Sequence, residues 1–301
     1  MIRCLHTRTR QQGMAIIGAL VVVAAASVTT AAIMERQTLL ADTLFGELDR
    51  TQAKWLLRGG LDWSRIILFN DARRNAVTRK DAIWAQPVFR LEVGTPGDAR
   101  KAYFSGQIED EQSKFNIWGL SVQGIVQPEE LAILEKLMAG LHIPAPAATA
   151  IAQRVAATQT GQHIEATAPG LRTIDDLLGI EGMTHDIAAT LAGYLSILPQ
   201  RTTINANTAS AEVLSASVPG LDLAQARGLV DQRDRGQWFN SSADFFNRLD
   251  NTAITARNRI GVSSEWFKVT GAVTLDRVEA GMQALLHRQG GGPPLIRWIK
   301  D

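Results

Sequence analysis

Between Arg10 and Glu35 the chain carries no charged side chain, and from Met14 to Met34 it consists of apolar and small residues. About twenty such residues suffice for one helical crossing of a bilayer's hydrocarbon core. Arg3, Arg8 and Arg10 stand just before the run, and basic flanks are retained on the cytoplasmic side. The run therefore predicts a single transmembrane helix over residues 14–34, entered from a cytoplasmic amino terminus.

A cleaved secretory signal is the rival reading, because small-residue cleavage sites can be drawn through Ala24-Ala25-Ala26 or Thr30-Ala31-Ala32. A signal would end there and hand over to a domain. Here Ile33, Leu40, Leu44 and Leu48 continue one apolar stripe past the charged pair Glu35 and Arg36. One helix is expected from Met14 to about Phe69, with Gly59-Gly60 either kinking it or dividing it into two helices. Trp55, Leu56, Leu61, Trp63, Ile66 and Ile67 are its expected docking face.

Strand signals follow. Val88, Arg90 and Glu92 alternate with Phe89, Leu91 and Val93, the turn residues Thr95-Pro96-Gly97-Asp98 close the run, and Ala102 to Ile108 reads as the returning strand. After Ser263 the pattern resumes, with strands expected at 266–275, 278–288 and 295–299. Gly290-Gly291-Gly292 is a turn, since no Lys-Ser or Lys-Thr follows to meet a phosphate. A long helix covering one face of an antiparallel sheet gives an α+β fold.

Between these strand groups the character is helical, and the segment reads as internally duplicated. Gly140-Leu141, Gln153-Arg154 and Thr173-Ile174-Asp175-Asp176 in one half answer Gly220-Leu221, Gln232-Arg233 and Ser241-Ser242-Ala243-Asp244 in the other. The four-residue openings are capping-box variants that start helices. The loop over 158–170 is the expected flexible piece.

Two stretches are distinctive. Glu109-Asp110-Glu111-Gln112-Ser113-Lys114-Phe115-Asn116-Ile117 places three carboxylates at a strand end, where they either hold a hard cation such as calcium through oxygen ligands or form a solvated acidic turn. The second is Ile204-Asn205-Ala206-Asn207-Thr208-Ala209, before a short helix.

These features resemble a known family. A glycine before an apolar helix, here Gly13 before Met14, is the pattern of type IV pilin-like precursors, which a prepilin peptidase cuts after the glycine. The fifth mature residue is usually Glu, and counting from Met14 that place holds Gly18. This departure, the acidic stretch and the I-N-x-N-T-A run resemble the minor pseudopilins K of type II secretion systems. Their acidic stretch reads D-E-Q-G-K-F-N-L-N, with Ser113 here replacing the glycine and Trp118 at a usually polar place.

The resemblance implies a leader at 1–13, a helix and first strands over 35–119, an insertion at 120–260 of two SAM-like or helix-hairpin-helix units (about 120–198 and 199–260), and final strands at 261–301. It further implies amino-terminal methylation at Met14, a single-pass inner-membrane anchor with a periplasmic carboxy-terminal domain, and calcium in some members. The implied partners are minor pseudopilins H, I and J in a tip complex, the major pseudopilin G and the peptidase. Helix-hairpin-helix competence proteins share only the I-N-x-N-T-A region, which leaves a membrane-anchored DNA-binding protein as the alternative. Against it, Pro219-Gly220-Leu221-Asp222 puts a carboxylate where a phosphate-binding turn needs its second glycine. Nucleic acid is not expected as a partner.

Composition narrows the field further. With 301 residues, net charge +1 and Cys4 as the sole cysteine, the chain past the leader must hold together by core burial, without a disulfide. No catalytic constellation is evident. His6, His142, His163, His185 and His287 are scattered, and in Gly119-Leu120-Ser121-Val122-Gln123-Gly124 the second glycine comes one residue late for a nucleophile elbow. The chain is read as a non-enzyme requiring no cofactor.

Overall fold

The computed structural model describes residues 12–94, 101–162, 165–249, 258–276 and 278–300. Arg3, Cys4, His6, Arg8 and Arg10 of the leader, part of the 158–170 loop including His163, and the turn at Thr95-Pro96-Gly97-Asp98 lie outside these residues.

One uninterrupted helix, α1 (Gln12–Arg74), comprises 63 residues, a rod of about 95 Å at 1.5 Å per residue. It passes through Gly59-Gly60 without a break, so the glycine pair has a different purpose. A Cβ added at Gly60 would come within 2.4 Å of the Phe104 ring, and one at Gly106 within 2.8 Å. Both glycines make room for that ring, which lets helix and sheet approach closely. The buried face of α1 is accordingly Ala53, Leu57, Leu61, Ser64 and Leu68, a stripe at helical spacing. This corrects the expected docking face. Leu61 belongs to it and Leu56 and Ile67 lie at its margin, whereas Trp55, Trp63 and Ile66 are 72%, 49% and 51% exposed. A close helix–sheet contact admits small and aliphatic residues and leaves the indoles outside.

The strands in chain order are β1 (Val88–Val93), β2 (Ala102–Asp110), the two-residue strands β3 (Phe115–Asn116), β4 (Ser121–Val122), β5 (Ile125–Val126), β6 (Leu195–Ser196), β7 (Ile204–Asn205) and β8 (Ile260–Gly261), and then β9 (Trp266–Leu275), β10 (Val278–His287) and β11 (Leu295–Lys300). Five form one sheet in the order β1-β2-β9-β10-β11, and every neighbouring pair is antiparallel. Alternation dictates its faces: Phe267, Val269, Val273 and Leu275 of β9 join Phe104 and Ile108 of β2 beneath α1.

Between β2 and β9 lies the helical insertion, with α2 (Pro128–Gly140), α3 (Pro146–Ala156), α4 (His185–Leu191), α5 (Ala211–Ser217), α6 (Leu223–Asp234) and α7 (Ser242–Asn247). Two of its helix starts carry the expected caps, and Asp222 supplies a further one not expected from the sequence. Thr173 and Asp176 form a reciprocal capping box, while the Ser241 and Asp222 side chains accept from Asp244 N and Gln225 N. Both halves share one apolar core that runs from Phe115 to Ile260. The insertion hangs from adjacent strands, since Asp110 and Phe267 stand opposite one another in the sheet. On the face away from α1, Leu198 packs with Trp266, Leu285 and Trp298.

Candidate functional site

Where the insertion meets the sheet, the two distinctive sequence stretches come together as one buried polar joint. Asp110, 5% exposed, accepts from the Gln112 amide at 2.8 Å through Oδ1. Its Oδ2 accepts from Thr208 Oγ1 at 2.6 Å, Ser264 Oγ at 2.6 Å and Asn205 Nδ2 at 3.1 Å. Burial is the larger influence on this carboxyl and raises it above the usual carboxylate range, against the pull of these donors. Asn205 Nδ2 also donates to Thr78 O, beyond the end of α1, and Arg288 donates to Thr78 Oγ1 and Ser264 O. One cluster thus fastens α1's exit, the end of β2, the insertion and the start of β9.

The rest of the I-N-x-N-T-A run stiffens the insertion itself. Asn207 exchanges both amide hydrogen bonds with the Phe239 backbone at 2.9 Å. The Arg233 guanidinium, 1% exposed, donates to the carbonyls of Ala206 and Ala209. The sequence flagged the run and Asp110 but gave no sign of Thr78, Ser264 or Arg288.

The three adjacent carboxylates do not converge. Asp110 points into the joint, while Glu111 and Glu109 turn to Lys114, 2.8 and 3.2 Å away, and Lys268 lies 2.9 Å from Glu109. Burial opposes the Lys114 charge, but Glu111 and Glu109 outweigh it and raise this ammonium. For Glu109 burial pushes upward, and Lys114 and Lys268 together hold its carboxyl below the usual range. Among the described residues no group of three or more His, Cys, Asp or Glu side chains is arranged to hold a metal, so the calcium expectation finds no support in this cluster. Glu109 and Glu111 have lysine partners in a cation's place.

Other candidate sites resolve into structural roles. Ser121 Oγ is buried without a hydrogen-bond partner among the described residues and so lacks the adjacent base that an activated serine needs. Gly220 has φ +80° and turns the chain between α5 and α6, while Asp222 caps α6 at 2.7 Å from Gln225 N. Around that hairpin Arg227 pairs with Glu212 and Arg248 with Asp244. Arg233 is buried, while the Arg227 side chain stays 63% exposed and Arg235 is exposed.

What remains for function is surface. The apolar part of α1 has a mean hydropathy of 2.4 over its best window, and none of that window is covered by the rest of the chain. Gly18 lies on it, and a Cβ there would meet nothing within 4 Å.

The comparisons agree with this geometry. The family model described as "Type II secretion system (T2SS), protein K" matches residues 204–263, beginning at the first residue of the I-N-x-N-T-A run. Type II secretion system protein K of Pseudomonas aeruginosa is 27% identical, over 94% of this chain and 91% of that protein. Its counterpart in Pectobacterium carotovorum subsp. carotovorum is also 27% identical, over 94% of both chains. Among solved structures, a chain of the GspK-GspI-GspJ complex from the enterotoxigenic Escherichia coli type 2 secretion system superposes with a TM-score of 0.65. It is 17% identical, covering 85% of this chain and 97% of that one.

An exposed apolar helix, continuous with one that packs on an antiparallel sheet, defines a pilin-like architecture carrying a helical insertion. Within that class the chain is similar, over nearly its whole length, to protein K of type II secretion systems.

Proposed function

We propose that this chain is a minor pseudopilin at the tip of the type II secretion pseudopilus, a structural component needed to export folded proteins from the periplasm across the outer membrane. The observation that carries the reading is the joining of an uncovered, bilayer-length apolar helix to a pilin-like sheet whose end bears the insertion. Near full-length similarity to protein K of two other bacteria supports it. The solved complex unites GspK with GspI and GspJ, and minor pseudopilins I and J are the corresponding partners here. Minor pseudopilin H and the major pseudopilin G complete the proposed assembly.

In this reading prepilin peptidase removes residues 1–13, Met14 is methylated, the amino terminus faces the cytoplasm and the sheet and insertion are periplasmic. Gly13 before the apolar run is the support for cleavage. The α2–α3 and α5–α6 pairs, with matching caps after each, support two helix-hairpin-helix units kept for shape. The Asp222 carboxylate at the turn, with Arg227 paired to Glu212 and Arg248 to Asp244, argues against phosphate contact.

The test is intact-mass analysis of the full-length chain purified from membranes with and without the peptidase, followed by co-purification in detergent. Loss of the leader only when peptidase is present, together with retention of pseudopilins I and J, is the expected result. Cleavage near Ala26, or a chain that retains neither pseudopilin, would overturn the reading.

A further inference from the structure

Beyond the membrane segment, α1 exposes two stripes side by side. Arg50, Lys54 and Arg58 recur at every fourth residue on one flank, all exposed. They border a groove of about 640 Å³ between α1 and the β10–β11 side of the sheet, which Leu57, Met282 and Ile299 also line together with the carboxylates Glu47 and Glu279. Glu47 pairs with Arg50 at 2.6 Å, whereas Lys54 and Arg58 have no ion pair among the described residues. Next to this basic stripe runs an apolar one of Leu44, Leu48 and Trp55, which are 65%, 62% and 72% exposed.

Lipid headgroups do not explain the cations. At 1.5 Å per residue, Arg50 stands about 24 Å of helix beyond Met34, the last residue of the apolar run, against a screening length of about 8 Å at physiological salt. A second copy in parallel register would set the same cations against themselves. The occupant that fits both stripes is an amphipathic helix with an apolar face and a flank of carboxylates four residues apart.

We infer that this double stripe docks such a helix from a neighbouring pilin-like subunit, and that Arg50, Lys54 and Arg58 select which neighbour it is. The inference rests on the reading of the chain as a filament subunit and adds the chemistry of the contact. Apolar burial holds the helices together, and charge discriminates between subunits that all carry apolar stripes.

The experiment places a photo-crosslinking amino acid at Thr51, within the groove, or at Leu44, on the apolar stripe. The probe is the full-length chain, in membranes of cells that express the complete secretion machinery. Both positions should capture a pilin-like subunit, and the Thr51 adduct should map to a helix with Asp or Glu at four-residue spacing. The triple variant R50E/K54E/R58E should cut the Thr51 adduct by about tenfold or more at an unchanged thermal melt, and R50K/R58K should restore it. Selection by charge is overturned if the triple variant leaves the yield unchanged. It is equally overturned if the Thr51 adduct is a lipid, an exported protein, a second copy or a segment without carboxylates. If Leu44 as well captures no pilin-like subunit, the filament reading itself fails.

Discussion

Asp110 ties the insertion to the sheet through Asn205 and Thr208, and His287 braces the sheet against itself through Trp266 and Arg297. Replacing Asp110 by Ala removes the acceptor of the Thr208 and Ser264 hydroxyls and of one Asn205 donation. Buried donors left without partners cost about 1–3 kcal/mol each. Asp110→Ala should therefore lower stability by about 3 kcal/mol or more, and denaturant melts of the full-length chain in detergent would show it. Asp110→Asn, which keeps one acceptor oxygen, should cost less. His287 stacks on Trp266 at 3.9 Å between centroids, and its Nδ1 lies 2.6 Å from the Arg297 guanidinium. That nitrogen must be an unprotonated acceptor, which leaves the Nε2 proton facing Glu265 at 3.6 Å, with Gln289 3.2 Å from Nδ1. Burial first and Arg297 second push the imidazole below its ordinary value of 6.5, against the pull of Glu265. A depressed folded-state value means that the contribution to stability is present above the unfolded value and is lost as pH falls through the folded one. The melting temperature should thus decline below about pH 6.5, and His287→Gln should flatten that part of the profile. A wild-type profile flat from pH 7 to 5 would contradict the neutral assignment.

At the level of elements, the neighbouring glycines of α1 give opposite expectations. A Cβ at Gly59 would meet nothing within 4 Å, so Gly59→Ala should stabilise the helix by about 0.5–1 kcal/mol. Gly60→Ala brings the same helical gain but pushes its Cβ against Phe104, whose ring also presses on Gly106. Overpacking of about 1–3 kcal/mol should outweigh the gain, and Phe104→Leu should relieve it. Equal shifts at both positions would show that the contact with Phe104 is unimportant. This pair also marks what the sequence could reveal. The apolar run, the helix that follows it and the five sheet strands were legible because each repeats a simple period, 3.6 for the helix and 2 for the strands. The docking face of α1 was not, because a hydrophobicity pattern favours large aromatics while the close approach at Gly60 favours the absence of a side chain. The joint was half legible: the chain marks Asp110 and Asn205 through recognisable stretches, but Thr78, Ser264 and Arg288 are isolated polar residues with no period. Only the meeting of β2, β9 and the end of α1 brings them together. The three carboxylates misled for a related reason, since adjacency in a strand sends neighbouring side chains to different surroundings and Lys268 arrives from another strand.

Across the whole molecule, the insertion's position bears on where such a subunit belongs in a filament. Thr78, just past the end of α1, is part of the joint, so the insertion sits at the helix end farthest from the apolar run, about 60 Å of helix beyond Met34 at 1.5 Å per residue. A copy stacked farther along the same axis would have to share that space. Gly18 adds a second, independent restriction. The resemblance to pilin-like proteins implies that the glutamate usual at this place neutralises the amino terminus of a neighbouring subunit inside the apolar filament core. With the proposed cleavage after Gly13, glycine at this place would leave that charge without its partner, at a cost of several kcal/mol for a desolvated charge. A position with nothing above it satisfies both restrictions, and the tip is such a position. The two are separable by mutation. Gly18→Glu meets no steric obstacle, since nothing lies within 4 Å of a Cβ there, and should leave processing and assembly largely intact because the insertion still blocks the shaft. The facing ends of β2 and β9 at Asp110 and Phe267 allow a short hairpin turn to replace residues 111–265. Combined with Gly18→Glu, that deletion should admit the subunit to the shaft, where either change alone should not. Immunogold labelling of overassembled pseudopili reads the outcome directly. Label confined to one end is expected for the unaltered chain and for Gly18→Glu, and label along the filament for the double change. Label spread along filaments of the unaltered chain would remove it from the tip, because neither the unpartnered terminus nor the collision would then be limiting.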